Sequence, residues 1–260
     1  MTKKESMNVN AKSMSVKFQR LLMVMAAIMM AFVTFTACDE GENGDEGENG
    51  NGGGGVSGKR LKSWVQTDGP NDEDNFKSEF TYNSDGTLKR QDMYDSQSKL
   101  RAYALFTSNS DGLVTKTVIH SEVYPSMSQE FNYTYNTNKT IQKTQMFTLN
   151  DGVIVETSHV EYTYENGKKI SEKMTTDGRP DMRNEWLFNY DNNGRRTSTI
   201  HNFYYQGGSF SMTYTRTYNS DGTIQKTTHP YSFDDNRPVT QTYTWENGKT
   251  TYDFDTYANF

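Results

Sequence analysis

Cysteine occurs once in 260 residues. A disulfide within the chain is therefore impossible, and a multi-thiolate metal site is excluded. Proline is scarce at five. Basic residues are never gathered into a patch, and the net charge is −6, so nothing points to nucleic acid. The longest charge-free apolar run, residues 21–35, has 15 residues (LLMVMAAIMMAFVTF), short of the ~20 that a membrane-spanning helix needs. No Ser-His-Asp or Cys-His ordering can be nominated, because every serine sits in a generic turn or strand context. The chain is accordingly expected not to be an enzyme and to carry no cofactor and no metal.

What is present is aromatic and threonine-rich sequence: 17 Tyr, 14 Phe and 3 Trp. Tyr, Phe and Thr favour strands. The positive charge lies mostly at the front. Residues 1–37 hold Lys3, Lys4, Lys12, Lys17 and Arg20 against Glu5, so the remainder is more acidic than the whole, a balance that mainly favours solubility.

Lys17 and Arg20 precede the apolar run, and small residues close it, as in a secretory signal. The run ends Phe35-Thr36-Ala37-Cys38 and is followed at once by Asp39-Glu40. This resembles a bacterial lipobox, although Phe35 stands where Leu or Val is usual. The resemblance implies a signal peptide over 1–37, cleavage, and acyl chains on Cys38, which would anchor the protein stably in a membrane. Met14 would give a more ordinary basic region and is a candidate start. Residues 38–58 form an acidic, Gly/Asn-rich tether in which DEGENG occurs twice in tandem. It has almost no apolar side chain to offset the entropy of ordering and spans about 25 Å as a random coil of 20 residues. An acidic run directly behind the lipidated cysteine resembles the surface-export signal of Bacteroidota lipoproteins. In enteric bacteria an Asp beside that cysteine resembles an inner-membrane retention signal; six acids within residues 39–48 favour the former. The expected location is the outer membrane, lipid-anchored and exposed at the cell surface.

Residues 59–260 are repetitive. An aromatic-Thr-aromatic unit followed by a polar turn recurs at Phe80, Phe106, Tyr133, Tyr162, Phe188, Arg216 and Tyr243, with near-constant spacing. The turns Asn-Ser-Asp-Gly and Glu-Asn-Gly-Lys suit hairpins. In the third copy Lys139 replaces the glycine, and Asn138 is expected to take the left-handed conformation there. Period-2 alternation puts the aromatics on one face and Thr81, Thr107, Thr134, Thr163, Asn189, Thr217 and Thr244 on the other. The repeats, above all Phe188-Asn189-Tyr190-Asp191-Asn192-Asn193-Gly194, resemble YD-repeat (RHS-like) hairpins and the short repeat lipoproteins of Bacteroidota. That family builds continuous curved sheets. The expected fold is all-β: a curved antiparallel β-meander of about seven two-stranded hairpin repeats, aromatic face inward.

The four histidines (His120, His159, His201 and His229) read as surface or strand-filling residues rather than ligands. Tight, near-identical turns are expected along one edge of the sheet and looser, variable ones along the other. Variable loops on a regular scaffold are where binding concentrates, which nominates Tyr124, Tyr204, Tyr205, Tyr231 and Phe233 as ligand-binding residues. The function expected from the sequence is a non-enzymatic surface module binding a glycan or a protein. The alternative is a structural or assembly lipoprotein docking to an outer-membrane partner. An envelope hydrolase has no residue support.

Overall fold

Each Asn-Ser-Asp-Gly segment folds as a tight turn with its glycine in the left-handed region (Gly86 φ 87°, Gly112 φ 76°, Gly222 φ 84°). In the third copy Lys139 itself takes that conformation (φ 64°), correcting the expectation for Asn138. The structure, a computed structural model, describes residues 59–69, 75–232 and 236–247. The leader, Cys38 and the tether lie outside the described residues.

Fourteen strands follow one another: β1 Lys59–Thr67, β2 Phe76–Tyr82, β3 Leu88–Asp95, β4 Leu100–Ser108, β5 Val114–Ser121, β6 Met127–Tyr135 and β7 Ile141–Asn150. The second half is β8 Val153–Glu165, β9 Lys168–Thr176, β10 Arg179–Tyr190, β11 Arg196–Tyr205, β12 Gly208–Tyr218, β13 Ile224–Pro230 and β14 Pro238–Asn247. Every strand pairs antiparallel with its sequence neighbours. β1 also pairs with β14, from Lys59↔Asn247 to Thr67↔Thr240. The sheet is thus a closed barrel, not the open curved meander of seven hairpins that the sequence suggests. Closure removes both edges, whose unpaired N–H and C=O groups would otherwise template aggregation. Arg60 and Glu246 form an ion pair across the seam at 2.8 Å.

One irregularity repeats. The register shifts between Thr81 and Tyr82, Thr107 and Ser108, Thr134 and Tyr135, Thr163 and Tyr164, Asn189 and Tyr190, and Thr217 and Tyr218. Each is a bulge beside the tight turn, with one extra residue on the outgoing strand. The bulge resets the alternation, so Leu88 and Gln91, three apart, are both buried. The second aromatic of the repeat then reaches over to a neighbouring hairpin. Tyr82 donates to the Leu61 carbonyl, Tyr135 to Val114, Tyr190 to Lys169 and Tyr218 to Arg196, at 2.5–2.7 Å. Trp245 Nε1 donates to the Ile224 carbonyl at 2.9 Å. Ser108 breaks this row, and its buried hydroxyl has no partner.

Phe80, Phe106, Tyr133 and Phe188 are buried inside the barrel, and the seven Thr/Asn positions opposite them are all exposed. The strongest apolar packing lies along β1–β7, where Leu61, Trp64, Met93, Ile119, Phe131 and Met146 share one cluster. The outer wall is charged at mid-height. Arg90 pairs with Asp92 and Lys116 with Glu130, and Lys143, Glu161, Lys173 and Glu185 face one another in register across β7–β10. A barrel embedded in lipid presents an outward apolar band, and Lys or Arg at the midplane costs it about 2–4 kcal/mol each. This wall is built for water.

Two stability outcomes follow. Phe131→Ala should cost about 3–5 kcal/mol and Thr163→Ala no more than about 0.5 kcal/mol in denaturant titrations. Ser108→Tyr should restore the missing reach to the Leu88 carbonyl and raise the unfolding midpoint. A lowered midpoint would show that this position does not follow its neighbours.

Candidate functional site at the barrel rim

The two ends of the barrel differ. Lys59 and Asn247, the first and last described residues, pair with each other at the tight-turn end. The other rim carries the remaining connections. Three of these, expected to be loose, are two-residue turns: Asp151-Gly152, Asp177-Gly178 and Gln206-Gly207. They cap long strands; β8 has 13 residues, β10 12 and β12 11. The wall therefore stands tallest at the hairpins β7–β8, β9–β10 and β11–β12.

Apolar side chains are exposed on this rim. Val153, Ile154 and Val155 are 65%, 54% and 56% exposed, and Phe210 is 41% exposed. Tyr205 stacks between Phe203 (centroids 6.0 Å, planes 15° apart) and Phe210 (5.3 Å, 12°). These three aromatics share the inward side of the β11–β12 hairpin, across Phe203↔Phe210 and Tyr205↔Gly208. The Tyr205 ring lies so close to Gly208 that a Cβ there would meet its hydroxyl at 2.9 Å.

The nominated residues do not form one site. Tyr204 faces outward; Arg183 lies over its ring at 4.0 Å and its hydroxyl donates to Glu185 at 3.1 Å. Tyr231 sits beside β13 with Arg237 over its ring at 5.8 Å. Tyr124 is exposed in the β5–β6 connection, six strands from β11. Phe233 lies outside the described residues. Only Tyr205 belongs to the aromatic lip. The sequence reading missed Phe203, Phe210 and the run 153–155; the three consecutive β-branched residues after Asp151-Gly152 were the available signal.

Below the lip the lumen turns polar on the β9–β12 wall. His201 is buried, stacks on Trp186 at 4.8 Å and meets Asn184 Oδ1 through Nε2 at 2.9 Å. His229 packs against Tyr214 at 4.8 Å. Outside the wall, His120 stacks on Tyr103 at 4.9 Å and His159 lies 3.4 Å from Asp177. Among the described residues no group of three His, Cys, Asp or Glu is placed to hold a metal. Deeper still, near the tight-turn end, Lys169, Glu172, Arg196 and Arg216 are all buried. Lys169 pairs with Glu172, and the Phe188 ring lies 4.7 Å from the Lys169 ammonium and 4.6 Å from the Arg196 guanidinium. Lys169 and Arg196 stand where other repeats have Leu88, Val114, Ile141 and Ile224, and Arg216 stands in the first aromatic row.

No family model matches the chain, and no curated protein does. Among solved structures it is similar to a porin-like protein from Bacteroides uniformis, at 12% identity and a TM-score of 0.43, over 71% of this chain and 96% of that one. It is also similar to part of a TcdB2-TccC3 structure, at 13% identity and a TM-score of 0.26, over 67% of this chain. It spans only 10% of the length of that second protein. Likenesses this weak carry no inference about activity.

Burial pushes the His201 imidazole down to about 4, below its usual value of about 6.5. The folded state thus binds fewer protons than the unfolded one between those values. Stability from this group is complete above about pH 6.5 and declines as pH falls towards 4. The unfolding midpoint should fall over that window, and His201→Phe, which keeps a ring against Trp186, should flatten the decline. An unchanged slope in that variant would place the acid sensitivity elsewhere.

Proposed function

We propose that this protein is a lipid-anchored module of the outer membrane, exposed at the cell surface, that binds a glycan or protein ligand through the lip formed by the β7–β8 and β11–β12 hairpins. The observation that carries this reading is the position of the lip. Exposed aliphatic and aromatic side chains on a regular scaffold favour a binding surface, and these stand on the rim opposite Lys59. A tether leaving the tight-turn end from a lipidated Cys38 would direct that rim away from the membrane. The charged outer wall fits a barrel held beside a bilayer rather than within it. The stacked rings of Phe203, Tyr205 and Phe210 suit a sugar face, and Val153–Val155 suit an apolar protein contact.

Cys38→Ser should abolish lipid labelling and release the protein from membranes. Neutralising the six acids of residues 39–48 should leave it lipidated but protect it from protease added to intact cells. For the lip, a glycan array and co-purification from membranes should be run with wild type and with Phe210→Ser and Ile154→Ser. Loss of binding in these variants at an unchanged unfolding midpoint is the expected result. If they bind as wild type does, the lip is not the site, and the structural or assembly role takes precedence.

A further inference from the structure

Strand β8 stands clear of the sheet where it begins. Its register with β9 starts only at Ser158↔Thr176, and the Thr157 carbonyl accepts from the Asp177 N–H of the adjoining turn at 2.9 Å. Residues 153–156 therefore pair with β7 on one side and with no strand on the other. The Asp151-Gly152 turn has both φ positive, at 51° and 77°, as a two-residue hairpin turn requires. It is closed by the hydrogen-bonded pair Asn150↔Val153, so Leu149↔Ile154 is the next, non-hydrogen-bonded pair. The Ile154 N–H and C=O accordingly point away from β7, into the free edge.

Strand edges of soluble proteins are ordinarily blunted by lysine, proline or a covering segment. This one carries Val153, Ile154 and Val155, 65%, 54% and 56% exposed, so neither face of the tip is covered. Glu156, the only charged side chain among the four, is held by Arg179 at 3.2 Å. The bulge opposite Thr148 and Leu149 bends the strand and limits the pairing stretch to the residues around Ile154. That stretch, Val153-Ile154-Val155, reads the same in both directions. An antiparallel copy centred on Ile154 sets Val153 against Val155, Ile154 against itself and Glu156 against Gly152. No like charges are opposed.

We propose that two copies of this chain join by antiparallel pairing of their β8 tips, with Ile154 on the two-fold axis. The two Ile154 residues exchange both backbone hydrogen bonds, as a hydrogen-bonded antiparallel pair does, and the contact is isologous and closes at a dimer. Because β8 runs down from the rim, antiparallel tips bring two rims together, with the tight-turn ends facing apart. Chains anchored through Cys38 would then meet from facing membranes rather than side by side on one; that consequence rests on the function proposed above. The contact is smaller than the roughly 1,000 Å² of a stable interface, so the dimer is weak and draws on many copies facing one another.

The test is sedimentation equilibrium of the full-length chain in non-ionic detergent, carried to high micromolar concentration. Wild type should show a reversible monomer–dimer equilibrium. Ile154→Lys and Ile154→Glu each set like charges opposite one another across the axis. Each alone should lose the dimer at an unchanged unfolding midpoint, and an equal mixture of the two should regain it. A wild type that stays monomeric overturns the proposal, and so does a mixture that stays monomeric while both variants are folded. If either charged variant fails to fold, Ile154→Pro decides. It removes only an N–H that β7 does not use, and it should abolish the dimer; a dimer that persists in it refutes edge pairing. Glycan and partner capture read with Phe210→Ser, on the other hairpin, judges the ligand-binding lip separately.

Discussion

The one-residue bulge beside each tight turn is the constraint on which the rest of the barrel depends. A strand with unbroken alternation could not put Leu88 and Gln91, or Lys169 and Glu172, on the same side. The bulge does so in each of the six hairpins where it occurs. It also brings the second aromatic of the repeat over the neighbouring hairpin, where Tyr82, Tyr135, Tyr190 and Tyr218 satisfy carbonyls on the preceding, adjacent strand. Bulges strengthen local twist, and twist accumulated over fourteen strands brings β1 to β14. The interior composition, the ties between repeats and the closure thus share one origin in turn chemistry.

Closure separates two surfaces that an open sheet would have merged. The outward face is left to threonines and paired charges, and such pairs on an exposed surface contribute little stability each. Their effect is on solubility and on what the wall rejects, including a hydrocarbon environment. The largest apolar exposures, Val153, Ile154 and Val155, stand on the rim, while Leu105 and Leu187 are exposed to a lesser degree on the wall. A scaffold that is mostly polar around its circumference and most apolar at one end has a direction.

Much of this was legible in the residues. The Thr and Asn positions flanked by aromatics are all exposed, as period 2 dictates, and the left-handed glycines fall in the Asn-Ser-Asp-Gly turns. Three things were not legible. Closure depends on Lys59–Thr67 meeting Pro238–Asn247, a pairing between the ends of the domain that no local signal encodes. Turn chemistry alone did not say that Asp177-Gly178 and Gln206-Gly207 would close hairpins tightly, because the adjoining Arg-Pro-Asp and Gly-Ser read as further loop. The lip was only partly visible: Tyr204 and Tyr205 are adjacent in sequence, yet alternation sends one to the outer wall and the other to the rim's inner side.

The polar lumen was the strongest signal left unread. A repeat states what each position requires, so a departure from it is informative. Leu88, Val114, Ile141 and Ile224 fill one buried slot, yet Lys169 and Arg196 occupy it in the adjacent fourth and fifth copies. Arg216 replaces an aromatic in the sixth. Substituting cations for aliphatic and aromatic side chains in a closed interior gives up hydrophobic burial and adds a desolvation cost. Three such departures lie on neighbouring hairpins, while among the described residues β1–β7 bury no charged side chain. Scattered drift would have placed them around the barrel. Their concentration on the wall beneath the tallest hairpins indicates a local requirement for positive charge, met at the expense of the stability that Leu or Ile in the same slot would supply.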